Sequence, residues 1–225
     1  MKQLIALMLG LLITGSAFSQ TGSTNSETKA TTQVIKRGEF NDWFFGVNGG
    51  AQVFFGDHDK QMDFGDRITG KFQIYGGKWL NESFGIRAGV NGWKIKGLTQ
   101  THMYSTGEVY DASQWLETQK FNYFNVHADL MFHWFNDADG QNLNRFYNII
   151  PYAGIGLAVV TNDPGSVKFS PNLGLLQTFR LTDKLDLTVD VMGNIMGDGF
   201  DGEIGNRNYE GSLSTMIGIQ YNLRK

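Results

Sequence analysis

Cysteine is absent from the 225 residues. That excludes thiol catalysis, thiolate metal sites and a lipid anchor carried on cysteine, and an exported domain does without disulfides if its sheet closes on itself. Proline is scarce, at three residues. Charge of one sign is lacking too: the formal net charge is −3, where a nucleic-acid-binding domain usually shows a basic patch. The chain also lacks a long apolar run. Leu4–Thr14 is the longest such stretch, short of the roughly 20 residues a membrane-crossing helix needs. A chain of this kind can cross a bilayer only as a closed barrel.

What is abundant is glycine, at 29 residues, and aromatic side chains, at 13%. With so little proline, this composition fits a sheet protein with tight turns and close side-chain contacts. The start reads as an export signal: Lys2 supplies the positive end, Leu4–Thr14 the apolar segment, and Ala17 and Ser19 the small residues before a cut at Gln20. Residues 1–19 are therefore expected to be a signal peptide, residues 20–41 a flexible polar lead-in, and residues 42–225 the folded domain.

From Asn41 onward the sequence breaks into segments of period-two alternation. In "WFFGVNGGAQVFF", Trp43, Phe45, Val47, Ala51, Val53 and Phe55 share one face, while Asn48 and Gln52 share the other with Phe44 and Phe54. In "NVHADLMFHW", Val126, Ala128, Leu130, Phe132 and Trp134 oppose Asn125, His127, Asp129, Met131 and His133. Six further segments behave likewise, around Phe72, Ile86, Ile155, Leu173, Val189 and Ile217. Two irregularities stand out: Trp93 and Ile95 blur the third segment, which predicts a bulge near Gly92, and Gln177 interrupts the apolar face of the sixth.

Eight strands predict an all-β fold, an eight-stranded antiparallel up-and-down transmembrane β-barrel. The connections alternate long and short, with tight links at Asn81–Ser83 and Thr182–Lys184 and a longer one around "FNDADGQNLNR". That alternation marks an outer-membrane barrel with loops outside and turns in the periplasm. The polar face is rich in Gly, Asn, Ser and Thr, which suits a narrow interior. The expected lumen set is Lys71, Arg87, Asn125, His127, Asp129, Arg180, Asp186 and Asp190, nearly balanced in sign. Arg180 is expected to oppose Asp186 across the "TDK" turn. Trp43, Phe45, Phe55, Phe84, Trp134 and Tyr221 are the expected membrane-interface aromatics. A soluble, lipocalin-like carrier with the apolar face inward is the alternative.

Chemistry finds little support. His127 and Asp129 share a strand face and, with His133, offer part of a constellation for a lipid-modifying deacylase or acyltransferase, but no nucleophile is placed beside them. "NDADGQN" fails the calcium-loop pattern, because Phe135 and Phe146 would fall at ligand positions. The acidic stretches Gly56–Asp66 and Gly197–Glu203 read as solvated loop tips rather than divalent sites. No catalytic residue, metal site or cofactor is expected. The expected partners are outer-membrane lipid and an envelope or extracellular partner meeting the loops, with no nucleic acid; the oligomeric state stays open.

The stretch "DWFFGVNGGAQVFFGDHDKQMDFGDRITGKFQIYGGKW", followed by "FGIRAGVNG", "FNYFNVHADLMF", "PYAGIGLA" and "LQTFRLTDKLDLTVDV", resembles the OmpA-type outer-membrane barrel domain of Bacteroides-like bacteria. The resemblance covers most of Asp42–Lys225. It implies a structural envelope component or a narrow, often closed pore in the outer membrane, with no enzymatic residues to carry over. Fuller members continue into a periplasmic peptidoglycan-binding domain. This chain stops at Lys225, so the expectation is a barrel without that domain. Its last outward aromatic is Tyr221, a few residues before the end.

Overall fold

The computed structural model describes residues 42–135, 145–203 and 209–223. The expected signal peptide, the lead-in and "NDADGQN" lie outside these. Alternation produces strands wherever it was clean: β1 (Trp43–Phe55), β2 (Ile68–Trp79), β3 (Phe84–Thr99), β4 (Ser105–Asp111), β5 (Leu116–Phe132), β6 (Tyr147–Val160), β7 (Ser166–Phe169), β8 (Asn172–Arg180), β9 (Leu185–Gly197) and β10 (Tyr209–Leu223).

Eight of these close into a ring in the order β1-β2-β3-β5-β6-β8-β9-β10, and β10 pairs back onto β1 from Trp43↔Leu223 to Phe55↔Gly211. Every pairing is antiparallel. Closure satisfies the strand amides and carbonyls within the ring and leaves no open edge along it. β4 and β7 are additions that alternation alone did not reveal. β4 pairs with the outer part of β5 and β7 with the outer part of β6, both at the long-loop end. β5 accordingly starts at Leu116 and ends at Phe132, so Trp134, expected within that strand, lies just beyond it.

The short turns are fastened by side chains. Asn81 Oδ1 accepts hydrogen bonds from the amides of Ser83 (2.9 Å) and Phe84 (2.7 Å). Thr182 Oγ1 accepts from the Leu185 amide at 3.0 Å. With these turns set, Arg180 pairs in register with Asp186.

Alternation becomes sidedness. Leu130 and Ile155 are 55% and 60% exposed on the outer wall, whereas Asn125 and Asp190 are 1% and 0% exposed inside. The apolar-inward, lipocalin-like arrangement is thereby overturned. The reason is steric as much as chemical: a narrow ring accepts glycine, amides and a few interlocked side chains, and a full set of Leu, Ile and Val faces outward. From Phe124 to Phe132 β5 rises about 27 Å at about 3.4 Å per residue. A tilt of about 40° leaves about 21 Å along the normal, close to the roughly 25 Å apolar band of such barrels.

Both irregularities have causes. At the first, β3 keeps an unbroken register with β5 through Gly92↔Phe124 and Trp93↔Tyr123, so no residue is inserted as a bulge would require. Instead Gly92 adopts φ +146°, and Trp93 turns outward to stack on Phe72 at 4.7 Å. At the second, the outward Gln177 accepts a 2.7 Å hydrogen bond from the Tyr147 hydroxyl on the neighbouring strand.

Inside, glycines make room for rings: a Cβ at Gly174 would lie 2.2 Å from the Tyr152 hydroxyl, and one at Gly46 2.2 Å from the Tyr75 ring. Replacing Gly174 with Leu must expel Tyr152. Overpacking of this kind costs about 1–3 kcal/mol, so the urea midpoint of the folded barrel, followed by gel mobility, is expected to fall. An unchanged midpoint would show that the interior is not tightly packed there.

Candidate functional site in the barrel lumen

The lumen is filled in tiers. At its middle sits Arg87, carried by β3. Its Nε donates to Asp129 Oδ2 at 2.8 Å on the adjacent strand, and its Nη1 donates to Asp190 Oδ2 at 3.0 Å from β9, across the barrel. All three side chains are 0% exposed. The guanidinium also lies 4.1 Å from the Tyr152 ring centre and 5.0 Å from that of Tyr75, an attraction strengthened where water is excluded. Tyr152 donates its hydroxyl to Asp190 Oδ1 at 2.6 Å. His127 Nδ1 lies 3.0 Å from both Asp129 oxygens, and its Nε2 lies 3.5 Å from Gln73 Nε2.

Towards the long loops, Lys71 Nζ donates to Asn194 Oδ1 and to Ser214 Oγ, both at 3.3 Å. Lys71 and Arg87 thus match Asp129 and Asp190 in formal charge. Asn125 and Asn172 have no protein partner for either amide atom, nor have Asn91 Oδ1 and Asn194 Nδ2. At the short-turn end, Asp186 Oδ2 accepts from Asn222 Nδ2 at 2.7 Å, and Arg180 Nη2 donates to Asp183 Oδ1 at 2.5 Å. The eight residues selected from the sequence therefore occupy different heights. Arg87, His127, Asp129 and Asp190 meet directly, with Lys71 and Asn125 above them and Arg180 and Asp186 below.

Sequence reasoning passed over the apolar residues at lumen parity. Phe44, Tyr75, Met131, Ile150, Tyr152, Leu176 and Met192 form a buried cluster on the short-turn side. Phe54, Ile95, Phe121, Tyr123, Ala158, Val160, Met196 and Phe200 form another on the long-loop side. The signal was available: Phe44, Phe54, Tyr75, Met131 and Tyr152 all stand at inward positions of their strands. The charged centre thus has a buried apolar cluster on each side of it.

Of the expected interface aromatics, Trp43, Phe45, Phe84 and Tyr221 lie on the outer wall at the short-turn end. Phe84 packs on Phe132 at 5.3 Å, and Trp134 lies 6.4 Å from Phe132. Phe55 lies at the loop end, with the Arg67 guanidinium 4.8 Å from its ring centre.

The acidic loop stretches are only in part the solvated tips expected: Asp63 and Asp66 are exposed, but three carboxylates are not. Asp59, Asp201 and Glu203 are 1%, 1% and 3% exposed, folded inward over the barrel mouth. Asp59 accepts from the Gly56 amide at 2.7 Å and the Leu98 amide at 2.9 Å. Glu203 accepts from Thr99 Oγ1 and the amides of Gln100 and Thr101, and Glu210 from the amides of Phe200 and Asp201. Free loop amides need acceptors, and these carboxylates supply them. Among the described residues no His, Cys, Asp and Glu group is arranged to hold a metal ion.

Two measurements follow from this geometry. Arg87→Met leaves Asp129 and Asp190 buried without their guanidinium, with only His127 and the Tyr152 hydroxyl still beside them, and is expected to cost about 3–5 kcal/mol, read as a lower urea midpoint. Adding Asp129→Asn and Asp190→Asn should recover some of that loss; no recovery would contradict charge pairing as the cause. In the loops, burial pushes Asp201 up to about 7 from 3.8, so the folded loops hold its proton more tightly than an unfolded chain. The stabilisation is complete below about 3.8 and lost as pH rises through about 7. Hydrogen exchange at the Glu203 amide, which donates to Asp201 Oδ1 at 2.9 Å, should accelerate between pH 5 and pH 8 beyond its intrinsic rate. Asp201→Asn should flatten that excess, and a flat profile in the parent protein would contradict the reading.

No protein-family model matches the chain. Outer membrane protein 40 of Porphyromonas gingivalis is 28% identical over the whole of this chain and 58% of its own length. Outer membrane protein 41 of the same organism is 24% identical over 84% of this chain and 47% of its own length. The chain thus spans about half the length of the curated relatives it matches. Among solved structures, Neisserial surface protein A aligns over 80% of this chain and 96% of its own at a TM-score of 0.49 and 12% identity. The N-terminal β-barrel domain of Pseudomonas aeruginosa OprF aligns over 81% and 98% at 0.47 and 11%. With its closed ring and outward apolar wall, the chain is an outer-membrane β-barrel.

Proposed function

We propose that this is a small integral barrel of the OmpA type whose lumen is shut, serving as a structural envelope component or a narrow, largely plugged porin-like protein. One observation carries the proposal. Arg87 spans the lumen between Asp129 and Asp190 with every side chain buried, and an apolar cluster lies on each side of it. A solute crossing this path must break two charge-assisted hydrogen bonds in a region of low dielectric and push apart both packed tiers. The proposal concerns the barrel alone.

In this reading the outward aliphatic wall is solvated by lipid, and Trp43, Phe45, Phe84, Trp134 and Tyr221 mark the periplasmic rim of the belt. Lys71, Asn125, Arg180 and Asp186 belong to the same blocking column as the central cluster, and the loop end meets an extracellular or envelope partner. His127 is given no catalytic role, because both of its ring nitrogens face lumen side chains, Asp129 and Gln73, rather than the membrane surface. His127→Ala is therefore expected to leave the lipid composition of the host membrane unchanged.

Planar-bilayer recording tests the closure. Monomeric protein should give small conductance or none, and truncating Phe54, Phe121 and Phe200 together with Arg87 should raise it. Large, long-lived open steps from the unaltered monomer would overturn the plugged lumen.

A further inference from the structure

On the outer wall, β3 and β5 run side by side past the end of the apolar belt. Outward positions proceed from Ala88↔Ala128 and Val90↔Val126 to Gly92↔Phe124, with Trp93 beside them stacked on Phe72. The next two outward pairs are Lys94↔Asn122 and Lys96↔Lys120. Two lysines directly opposite each other on one face repel across about 5 Å, and Lys94 stands two residues from Lys96 on the same face. Among the described residues, no carboxylate lies within ion-pairing distance of these three lysines.

What lies above the lysines narrows their purpose. Leu98 and Leu116, at the following outward positions, are covered by Met62 from the first long loop. Thr118, opposite Leu98, is bonded to Thr106 and to Glu108. The basic groups are therefore confined between an aromatic tier below and a loop roof above, in a band one strand pair wide. In a bilayer that fits the apolar wall, this is the height of the lipid headgroups.

We propose that Lys94, Lys96 and Lys120 form a docking tier for the phosphate of an anionic lipid headgroup in the leaflet on the long-loop side. The proposal rests on the membrane reading given above. Lipid acyl chains lie along Val90, Val126 and Phe124, the rings of Trp93 and Phe72 sit at the glycerol level, and the phosphate receives hydrogen bonds from the ammonium groups. The bound anion removes the Lys96–Lys120 repulsion that the sheet register otherwise imposes.

Trp93 reports on this position. The full chain is folded into phosphatidylcholine vesicles in which either the phosphatidylcholine or an added fraction of phosphatidylglycerol carries brominated acyl chains. The Trp93 signal is taken as the difference between the parent protein and Trp93→Phe. At equal mole fraction, brominated phosphatidylglycerol is expected to quench that signal about twice as strongly as brominated phosphatidylcholine. The excess should disappear in the Lys94→Gln, Lys96→Gln, Lys120→Gln variant, while quenching by brominated phosphatidylcholine persists. Equal quenching by the two lipids in the parent protein, or a preference that survives loss of the lysines, overturns the docking tier and leaves the membrane reading intact. No quenching of Trp93 by either lipid overturns both.

Discussion

Everything in this molecule depends on closure of the strand ring through β1 and β10. In a bilayer the backbone has no water to turn to, and an open edge would leave a column of amides and carbonyls unsatisfied. The thirteen-residue register from Trp43↔Leu223 to Phe55↔Gly211 removes that edge. Once the ring is closed, the period-two geometry of each strand forces a division. Every side chain points either to the surrounding medium or to a narrow axis, and a one-residue slip would exchange the two sets.

The axis is too narrow for water to solvate charges freely, so the charges that enter must find one another. Arg87 does so in two ways: locally through Asp129 on the paired strand, and across the barrel through Asp190. That second contact ties opposite walls together without any backbone pairing between them. Tyr75 and Tyr152 face the guanidinium, and each occupies space that a glycine on the next strand leaves empty. Glycine abundance, a composition statistic at first sight, thus becomes the condition for the central ion cluster. At the loop end the same need for satisfaction takes another form: buried carboxylates collect loop amides and hold the loops over the mouth.

Much of this was legible in the sequence, for a physical reason. Outward positions have one solvent and inward positions another, and residue type responds to both. Leu130 against Asp129, or Ile155 against Gly154 and Gly156, announces the face directly. Legibility failed where a residue type has more than one use. Phe44 and Phe54 stand at inward positions, but aromatic character is associated with the lipid wall, so their role as lumen filling went unread. Trp93 was obscured because one glycine dihedral, invisible in composition, redirects it without shifting the register. Asp59, Asp201 and Glu203 looked like surface charges because nothing in their spacing shows that loop amides would surround them. β4 went unseen because nearly all of its residues are exposed and so need not alternate, and β7 because four residues are too few to display a period.

The central claim is the direction in which the two faces of each strand point, and the absence of cysteine makes it directly measurable. Single cysteines placed in turn from Tyr123 to Met131 along β5 can carry a spin label in vesicles. Collision with oxygen, enriched in lipid, is then compared with collision with a water-soluble nickel chelate. High oxygen access is expected at positions 124, 126, 128 and 130, and low access to both reagents at 125, 127 and 129. Oxygen access peaking at the odd positions, or no alternation at all, would contradict that claim.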